Sequence, residues 1–334
     1  MRIGSVTITP NLVLAPMEGV TDTTFRRLIR QVGGCGLTVT EFVPARGLRD
    51  DIPRVLDMVQ FDEDERPLAI QVYGRDPDTL AEGARIARDL GADIVDLNMG
   101  CPSKKVCAHS GGSALVREPE LARAIVVAMR AAVSVPFTVK MRAGWDPEHL
   151  NATEIAWMCQ EEGVDAVTVH WRTRAEKYGG VRDLRRIAAV VDRVDIPVLA
   201  NGDVIDVPSA LETLRATGAA GLTIGRGAIR DPWVFRAIEA ALEGRPAPEI
   251  TPDDRERVLL GYYQAIRTRC RNDLGALGRM KKIARYFTEG VEHGHVLRQA
   301  IWHSDTVEQA EARVRRFFDD LRAWQAGDTS RFAA

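Results

Sequence analysis

The sequence predicts an α/β fold: a (βα)8 TIM barrel with a C-terminal all-helical domain. Three observations lead there. A short apolar run, a polar turn and a helical stretch recur eight times between residue 11 and about residue 243. The 334 residues suffice for one barrel of about 250 residues and a smaller second domain. After Gly244 the pattern is helical in period, with no further strand run.

The apolar runs cover 12–17, 37–43, 68–73, 94–99, 137–141, 166–171, 198–201 and 222–224. They are rich in Val, Ile and Leu and bounded by Gly, Pro or Asp, as parallel strands buried on both faces require. Helix signals lie between them. Thr21 or Asp22 can cap a helix ending near Val32, and Pro77 and Pro119 stand near the starts of two more. Gly91, Gly163 and Gly218 have the position of helix C-caps leading into strands. Residues 2–8 form a small β-element ahead of the barrel, a candidate plug for its base. The expected division is a barrel over 1–244, a helical domain over 250–325 joined through Arg245-Pro246-Ala247-Pro248-Glu249, and a disordered tail over 326–334.

Composition sets the class. Hydrophobic and charged fractions of 45% and 28% are those of an ordinary globular protein. No stretch approaches the roughly 20 apolar residues of a membrane helix, and the N-terminus lacks a signal-peptide pattern. The expectation is a cytoplasmic protein without a membrane partner or an evident obligate protein partner. Five scattered cysteines do not make a disulfide framework. The net charge of −2 hides an asymmetry, because residues 251–334 carry 15 basic and 12 acidic side chains. Arg267, Arg269, Arg271, Arg279, Lys281, Lys282 and Arg285 fall within 19 residues. Such a cluster suits contact with an RNA backbone, and it equally suits a solvated helix face.

Active sites of such barrels lie at the C-terminal ends of the strands. Every run here ends in polar chemistry: Glu18, Glu41, Gln71, Asn98 with Cys101, Lys140 with Arg142, His170 with Arg172, Asn201-Gly202-Asp203 and Gly225-Arg226-Gly227. The last two loops have the place and the glycines of a phosphate site, where backbone N–H groups approach an anion and Arg226 adds charge. The alternative is a pair of tight turns. Lys140, at the mouth, can stabilise negative charge on a bound ring, or else pair internally with Glu41 or Asp203. His170 is a ligand contact or a structural histidine.

Cys101 has four readings. A metal site with Cys107 and His109 matches no common zinc spacing, so no metal is expected. A nucleophile needs a partnered base and a lowered pKa. A general acid needs a protonated thiol, which an ordinary cysteine pKa of about 8.5 provides at neutral pH. The fourth reading is a solvated loop. Lys104 and Lys105, which follow, suit a loop over an anionic substrate.

Several motifs then coincide: Ala15-Pro16-Met17-Glu18-Gly19-Val20-Thr21-Asp22, Asp96-Leu97-Asn98-Met99-Gly100-Cys101-Pro102-Ser103-Lys104-Lys105-Val106 and Val139-Lys140-Met141-Arg142-Ala143-Gly144-Trp145. With them go His170-Trp171-Arg172-Thr173-Arg174, Ala200-Asn201-Gly202-Asp203 and Ile224-Gly225-Arg226. In order and spacing the chain resembles the bacterial tRNA-dihydrouridine synthases, and among them the B-type (NifR3-like) subgroup. The resemblance implies an FMN-dependent oxidoreductase that uses NADPH or NADH to reduce the C5=C6 bond of specific uridines in tRNA. It implies hydride transfer from flavin N5 to C6 and a proton from Cys101 to C5.

It places Pro16, Met17 and Glu18 by the flavin ring, Gln71 and Lys140 at its polar edge, and His170 nearby. Asn201, Gly202, Asp203, Gly225 and Arg226 would hold the phosphate. Asn98 and Arg142 would hold the base, with Lys104 and Lys105 toward the substrate. Trp171 stands where glycine is frequent and Cys107 where asparagine is. The alternatives are a flavin barrel acting on a free pyrimidine or an enone, and a non-catalytic RNA-binding protein on a retired barrel.

Overall fold

The computed structural model describes residues 1–108, 111–288 and 290–332, and only the backbone of Lys105, Ala108 and Arg285. His109 and the side chains of Lys105 and Arg285, named above, lie outside the described residues.

Eight parallel strands close into a barrel. They are β1 (Leu12–Leu14), β2 (Leu37–Val39), β3 (Leu68–Tyr73), β4 (Ile94–Met99), β5 (Phe137–Arg142), β6 (Ala166–His170), β7 (Val198–Asn201) and β8 (Gly221–Ile224). Each pairs with the next, and β8 returns to β1 through Leu222↔Leu12 and Ile224↔Leu14. The run at 37–43 is broken: β2 stops at Val39, and Val43–Pro44 pairs with β3 separately.

The wall has two apolar populations, because successive side chains point to opposite faces of a strand. Leu12, Leu14, Val95, Leu97, Val139 and Met141 belong to the cluster shared with the surrounding helices. Val13, Leu37, Val39, Ala69, Ile94, Ala166 and Leu199 meet Ile3 and Ile8 inside the barrel. Residues Arg2–Ile3 and Val6–Thr7 form an antiparallel hairpin, which plugs the base with these two isoleucines. Above this layer the inner positions turn polar. On β4, Ile94 is followed inward by Asp96 and Asn98, and Asp96 bonds Gln71 of β3 and Thr138 of β5.

The helix signals are realised. Asp22 accepts the Phe25 N–H at 3.0 Å and starts helix Thr23–Val32. Pro77 and Pro119 open helices Pro77–Asp89 and Pro119–Ala132. Helices ending at Asp89, Glu161 and Thr217 precede Gly91, Gly163 and Gly218. A second hairpin, Gly144–Asp146 with His149–Leu150, follows β5. Its apolar content is too small to show in the strand pattern.

Four helices follow the barrel: Pro252–Arg269, Asp273–Phe287, Gly294–Trp302 and Val307–Gln325. Thr251, Asn272 and Thr306 cap three of them by accepting backbone N–H bonds. Buried Leu259, Tyr262, Tyr263 and Ile266 join the apolar cluster of the barrel's outer shell. Tyr262 meets Phe25 edge-on, with centroids 6.3 Å apart. The bundle is thus docked on the first barrel helix.

Thr329–Phe332 forms a 3-10 turn, and the Phe332 ring stacks on His293 with centroids 4.1 Å apart. Among the described residues, no helix is long and apolar enough to cross a membrane.

Candidate active site

The strand ends open into a cavity of about 920 Å³. That is the size range of small-molecule and cofactor sites. Its lining draws on the loops after six of the eight strands, and includes Pro16, Met17, Glu18, Asn98, Cys101 and Lys104. Lys140, Arg142, His170, Asn201, Gly202, Asp203, Gly225 and Arg226 complete the expected set. Gln71 is absent from the lining; it is fully buried in the layer below.

The loop carrying Cys101 is held at both of its peptide groups. Asn98 Oδ1 accepts the N–H groups of Gly100 and Cys101 at 3.0 and 2.9 Å. Ser113 Oγ donates to the Cys101 carbonyl at 2.5 Å, and Ser113 N–H adds a bond at 3.2 Å. Gly112 makes this return possible. At its φ of +57° a Cβ would fall 3.0 Å from the Cys101 oxygen and 2.9 Å from Val106 Cγ1. Asn98 is fixed in turn, since its Nδ2 donates to Gln71 Oε1 at 2.7 Å and Gln71 Nε2 donates to Asp96 at 2.5 Å. Burial pushes Asp96 up to about 6, against the bonds from Gln71 and Thr138, so it is mostly ionised at neutral pH and accepts both. A polar chain thus runs from the barrel interior to the cysteine.

Burial also raises the Cys101 thiol, with Cys107 and Glu18 adding to the effect. The thiol stays protonated at neutral pH. That argues against a resting thiolate nucleophile and suits an acid. Among the described residues, no group of three His, Cys, Asp or Glu side chains is placed to hold a metal ion.

Lys140 forms the floor. Its Nζ donates to Asn201 Oδ1 at 3.0 Å, not to Glu41 or Asp203. Burial, with the nearby Arg142 charge, lowers it to about 8. It therefore keeps most of its charge at pH 7 and gives it up just above. His170 is held well below its ordinary value by burial and by the charges of Arg142, Lys140, Arg172 and Arg226. It is neutral. Its Nδ1 accepts the Arg172 N–H at 3.1 Å, so the proton sits on Nε2. Thr223 lines the cavity as well, and its buried Oγ1 has no partner.

The loops after β7 and β8 build the cationic end. Arg172 grips Asp203 with two bonds of 3.1 and 2.6 Å, and Arg226 reaches the same carboxylate at 2.5 Å. Two guanidinium groups against one carboxylate leave a net positive charge. Gly202 has φ +114°, and a Cβ there would lie 2.6 Å from Trp171 Cδ1. Trp171 is fully buried beneath this loop and does not line the cavity. It packs outward rather than narrowing the pocket.

Arg142 proves to be a loop organiser. Nε donates to the Gly100 carbonyl at 2.9 Å, and Nη1 to Thr173 and Lys177 carbonyls at 2.8 Å. It joins the cysteine loop to the loop after β6. That loop presents Tyr178, 64% exposed, within 5.9 Å of Arg142 and 5.5 Å of Arg226. Tyr178, Thr223, Ser113 and Gly112 escaped the sequence reading. Only the glycine pair at 111–112 carried a local signal.

The basic cluster of the bundle is largely paired. Arg269 bonds Asp62 at 2.7 Å and Arg279 pairs with Asp22, both on the barrel. Arg267 pairs with Glu308 and Asp273 inside the bundle. Lys282 Nζ reaches the Gly19 carbonyl at 3.3 Å, beside the cavity loop. Arg271 and Lys281 have no ion pair among the described residues.

A closed barrel with a protonated thiol, a buried lysine and a cationic pocket at its strand ends is a (βα)8-barrel enzyme of cofactor-binding design. The comparisons with known proteins make this particular. The model of the dihydrouridine synthase (Dus) family matches residues 13–322. The chain is 39% identical over 320 residues to tRNA-dihydrouridine synthase B of Pseudomonas syringae pv. tomato, covering 95% of this chain and 94% of that one. It is 39% identical over 329 residues to tRNA-dihydrouridine synthase B of Yersinia pestis, covering 96% and 100%. It is 40% identical over 277 residues to a probable tRNA-dihydrouridine synthase of Rhodobacter capsulatus, covering 82% and 85%. The chain belongs to the dihydrouridine synthase family.

Proposed function

We propose that this protein is a tRNA-dihydrouridine synthase that reduces the C5=C6 bond of uridines in tRNA, with FMN as its cofactor and NADPH or NADH as reductant. The observation that carries this reading is the protonated Cys101 thiol, held by Asn98 and Ser113 at a cavity floored by Lys140.

The residues fit FMN. The unpartnered Thr223 hydroxyl and the Lys140 ammonium are polar groups of the lining available to a ring edge. Pro16, Met17 and Glu18 would flank the ring, Gln71 would support its edge through Asn98, and His170 would offer its Nε2 proton. Asn201, Gly202, Asp203, Gly225 and Arg226 would hold the phosphate, with the backbone of Asp203 serving rather than its carboxylate, which two arginines already occupy. Bound there, FMN supplies hydride to C6 of the uracil.

The protein's own residues do the rest. Cys101 Sγ gives its proton to C5, and the thiolate regains one from solvent. The C5=C6 double bond becomes single. Asn98 holds the thiol in place through its two backbone bonds. Arg142 fixes the loop from the other side, and the exposed Tyr178 ring is placed to stack on a base turned out of its helix. Lys104, exposed at the rim, faces the RNA, with Lys105 beside it in sequence. In this reading residues 1–244 are the catalytic unit and 250–325 the RNA-binding one, with Arg267, Arg269, Arg271, Arg279, Lys281, Lys282 and Arg285 as its basic residues.

The test is dihydrouridine itself, mapped by position in tRNA from wild-type and gene-deleted cells. Loss at defined positions is expected. Unchanged dihydrouridine at every position rejects the proposal.

A further inference from the structure

We propose that Asp96 is a positioning residue for the proton donor: through the amides of Gln71 and Asn98, its carboxylate fixes which atom meets the backbone of Cys101. This rests on the function proposed above and adds a residue to it.

The direction of every bond in the chain follows from its two ends. The N–H groups of Gly100 and Cys101 can only donate, so Asn98 must offer them Oδ1, at 3.0 and 2.9 Å. Asn98 Nδ2 then points the other way and donates to Gln71 Oε1 at 2.7 Å. That turns Gln71 Nε2 toward residue 96, where it donates to Asp96 Oδ2 at 2.5 Å. Position 96 must therefore accept. An ionised carboxylate accepts and cannot donate. Were Gln71 turned end for end, its Oε1 would face that carboxylate. Asn98 would turn with it, and its Nδ2 would face two N–H groups. The loop would keep only the bonds to its carbonyls, from Ser113 to Cys101 and from Arg142 to Gly100.

A carboxylate is a costly way to fill this place. Asp96, Gln71 and Asn98 are all buried, and burying a charge is unfavourable unless it is well bonded. The layer beneath, with Ile94, is apolar, so the barrel has a cheaper filling at hand. Lys140, the nearby cation, donates to Asn201. Asp96 instead receives two neutral donors, Gln71 Nε2 and Thr138 Oγ1. Of these, the Gln71 amide continues toward the strand end, and the chain it starts stops at Cys101.

The experiment uses the flavin-loaded enzyme and tRNA from the gene-deleted strain. Reduction of FMN by NADPH and single-turnover reduction of tRNA are measured separately. D96L removes the acceptor and should slow tRNA reduction about 30-fold, within the roughly 10²-fold that a misplacement of about 1 Å can cost. D96N also loses the charge beside Lys140, yet it can still accept from Gln71, with the Thr138 hydroxyl turned to accept from it. It should stay within about threefold of wild type on tRNA, the worth of one weakened hydrogen bond. Hydrogen exchange at Gly100 and Cys101 should quicken about tenfold in D96L and keep the wild-type rate in D96N. Equal slowing by both variants assigns Asp96 to the charge on Lys140 and overturns the proposal. Wild-type rates in both overturn it too, and leave the function intact.

A second pair decides if D96L does not fold. Q71E sets two carboxylates face to face. D96N/Q71E gives Glu at 71 a donor at 96 and leaves it to accept from Asn98. The double variant should reduce tRNA about tenfold faster than Q71E, a coupling that independent damage at two sites does not give. A double variant no faster than Q71E rejects the proposal. Wild-type enzyme whose FMN is reduced by NADPH but which leaves every uridine intact overturns both this proposal and the function it rests on.

Discussion

The barrel mouth and the helical bundle both stand out by their charge, and they use it differently. At the mouth, Arg172 and Arg226 share Asp203 as their carboxylate, while Lys140 and Arg142 have none, and burial holds these two below their ordinary values. The excess cation is left for a ligand. In the bundle, Arg267, Arg269 and Arg279 are balanced by Glu308, Asp62 and Asp22, and two of these pairs dock the bundle on the barrel. A run of basic residues in sequence therefore measures RNA contact only after the internal pairs are subtracted. The same subtraction applies at the barrel mouth, where Asp203 pairs with Arg172 and Arg226 and backbone carbonyls accept from Arg142.

The sharpest break between the regions is at Cys101. Cys101→Ala should keep FMN and its reduction by NADPH but lower turnover on tRNA by about 10²–10⁴-fold, the usual worth of a positioned proton donor. Single-turnover reduction of tRNA checks it, and normal turnover removes Cys101 from the chemistry. Asn98→Ala comes next. It frees the N–H groups of Gly100 and Cys101 and unties Gln71. Misplacing a reacting group by about 1 Å can cost roughly 10²-fold. The fall should appear in kcat, with FMN still bound. A fall in flavin content instead would assign Asn98 to the cofactor.

Lys140 gives the mouth a pH dependence. Its folded value of about 8 lies below its ordinary 10.5. FMN affinity, followed by fluorescence titration, should weaken about fivefold as pH rises through 8, the difference of roughly 1 kcal/mol between a charge-assisted and a neutral hydrogen bond. Lys140→Met should flatten that profile. The sign separates this from unfolding. Between pH 8 and 10.5 the unfolded chain binds the lysine proton and the fold does not, so this group's contribution to stability rises with pH there.

How far the sequence reached follows from the same contrast. The eight strands, the base plug, the capped helices and nearly all of the lining were legible, because parallel strands write themselves as apolar runs and their ends are fixed points. Cys101 was legible as an acid candidate for the same reason. What holds it was not. Ser113 lies 12 residues away and reaches it only because the loop turns back at Gly112. The bonds from Arg142 to three backbone carbonyls were not legible either, since no pattern encodes a bond to a carbonyl. Tyr178 sits in an irregular loop with no periodicity to betray it. The basic cluster was legible as charge but not as pairing, since Asp22 and Asp62 lie more than 200 residues away from their partners.

The smallest effects refine the bundle. Arg271 and Lys281 lack ion pairs among the described residues, whereas Arg267 has two carboxylates within reach. If free charge is what meets the RNA, Arg271→Ala and Lys281→Ala should each weaken tRNA binding about threefold and lower the salt slope by about 0.7–0.9. Arg267→Ala should change affinity less, and should instead lower stability slightly as an exposed pair is lost. Filter binding over a salt series, beside thermal melts, reads both. Equal losses of affinity for all three would show that the RNA draws Arg267 away from Glu308, so that the bundle's internal pairs are exchanged on binding and its whole basic cluster serves the substrate.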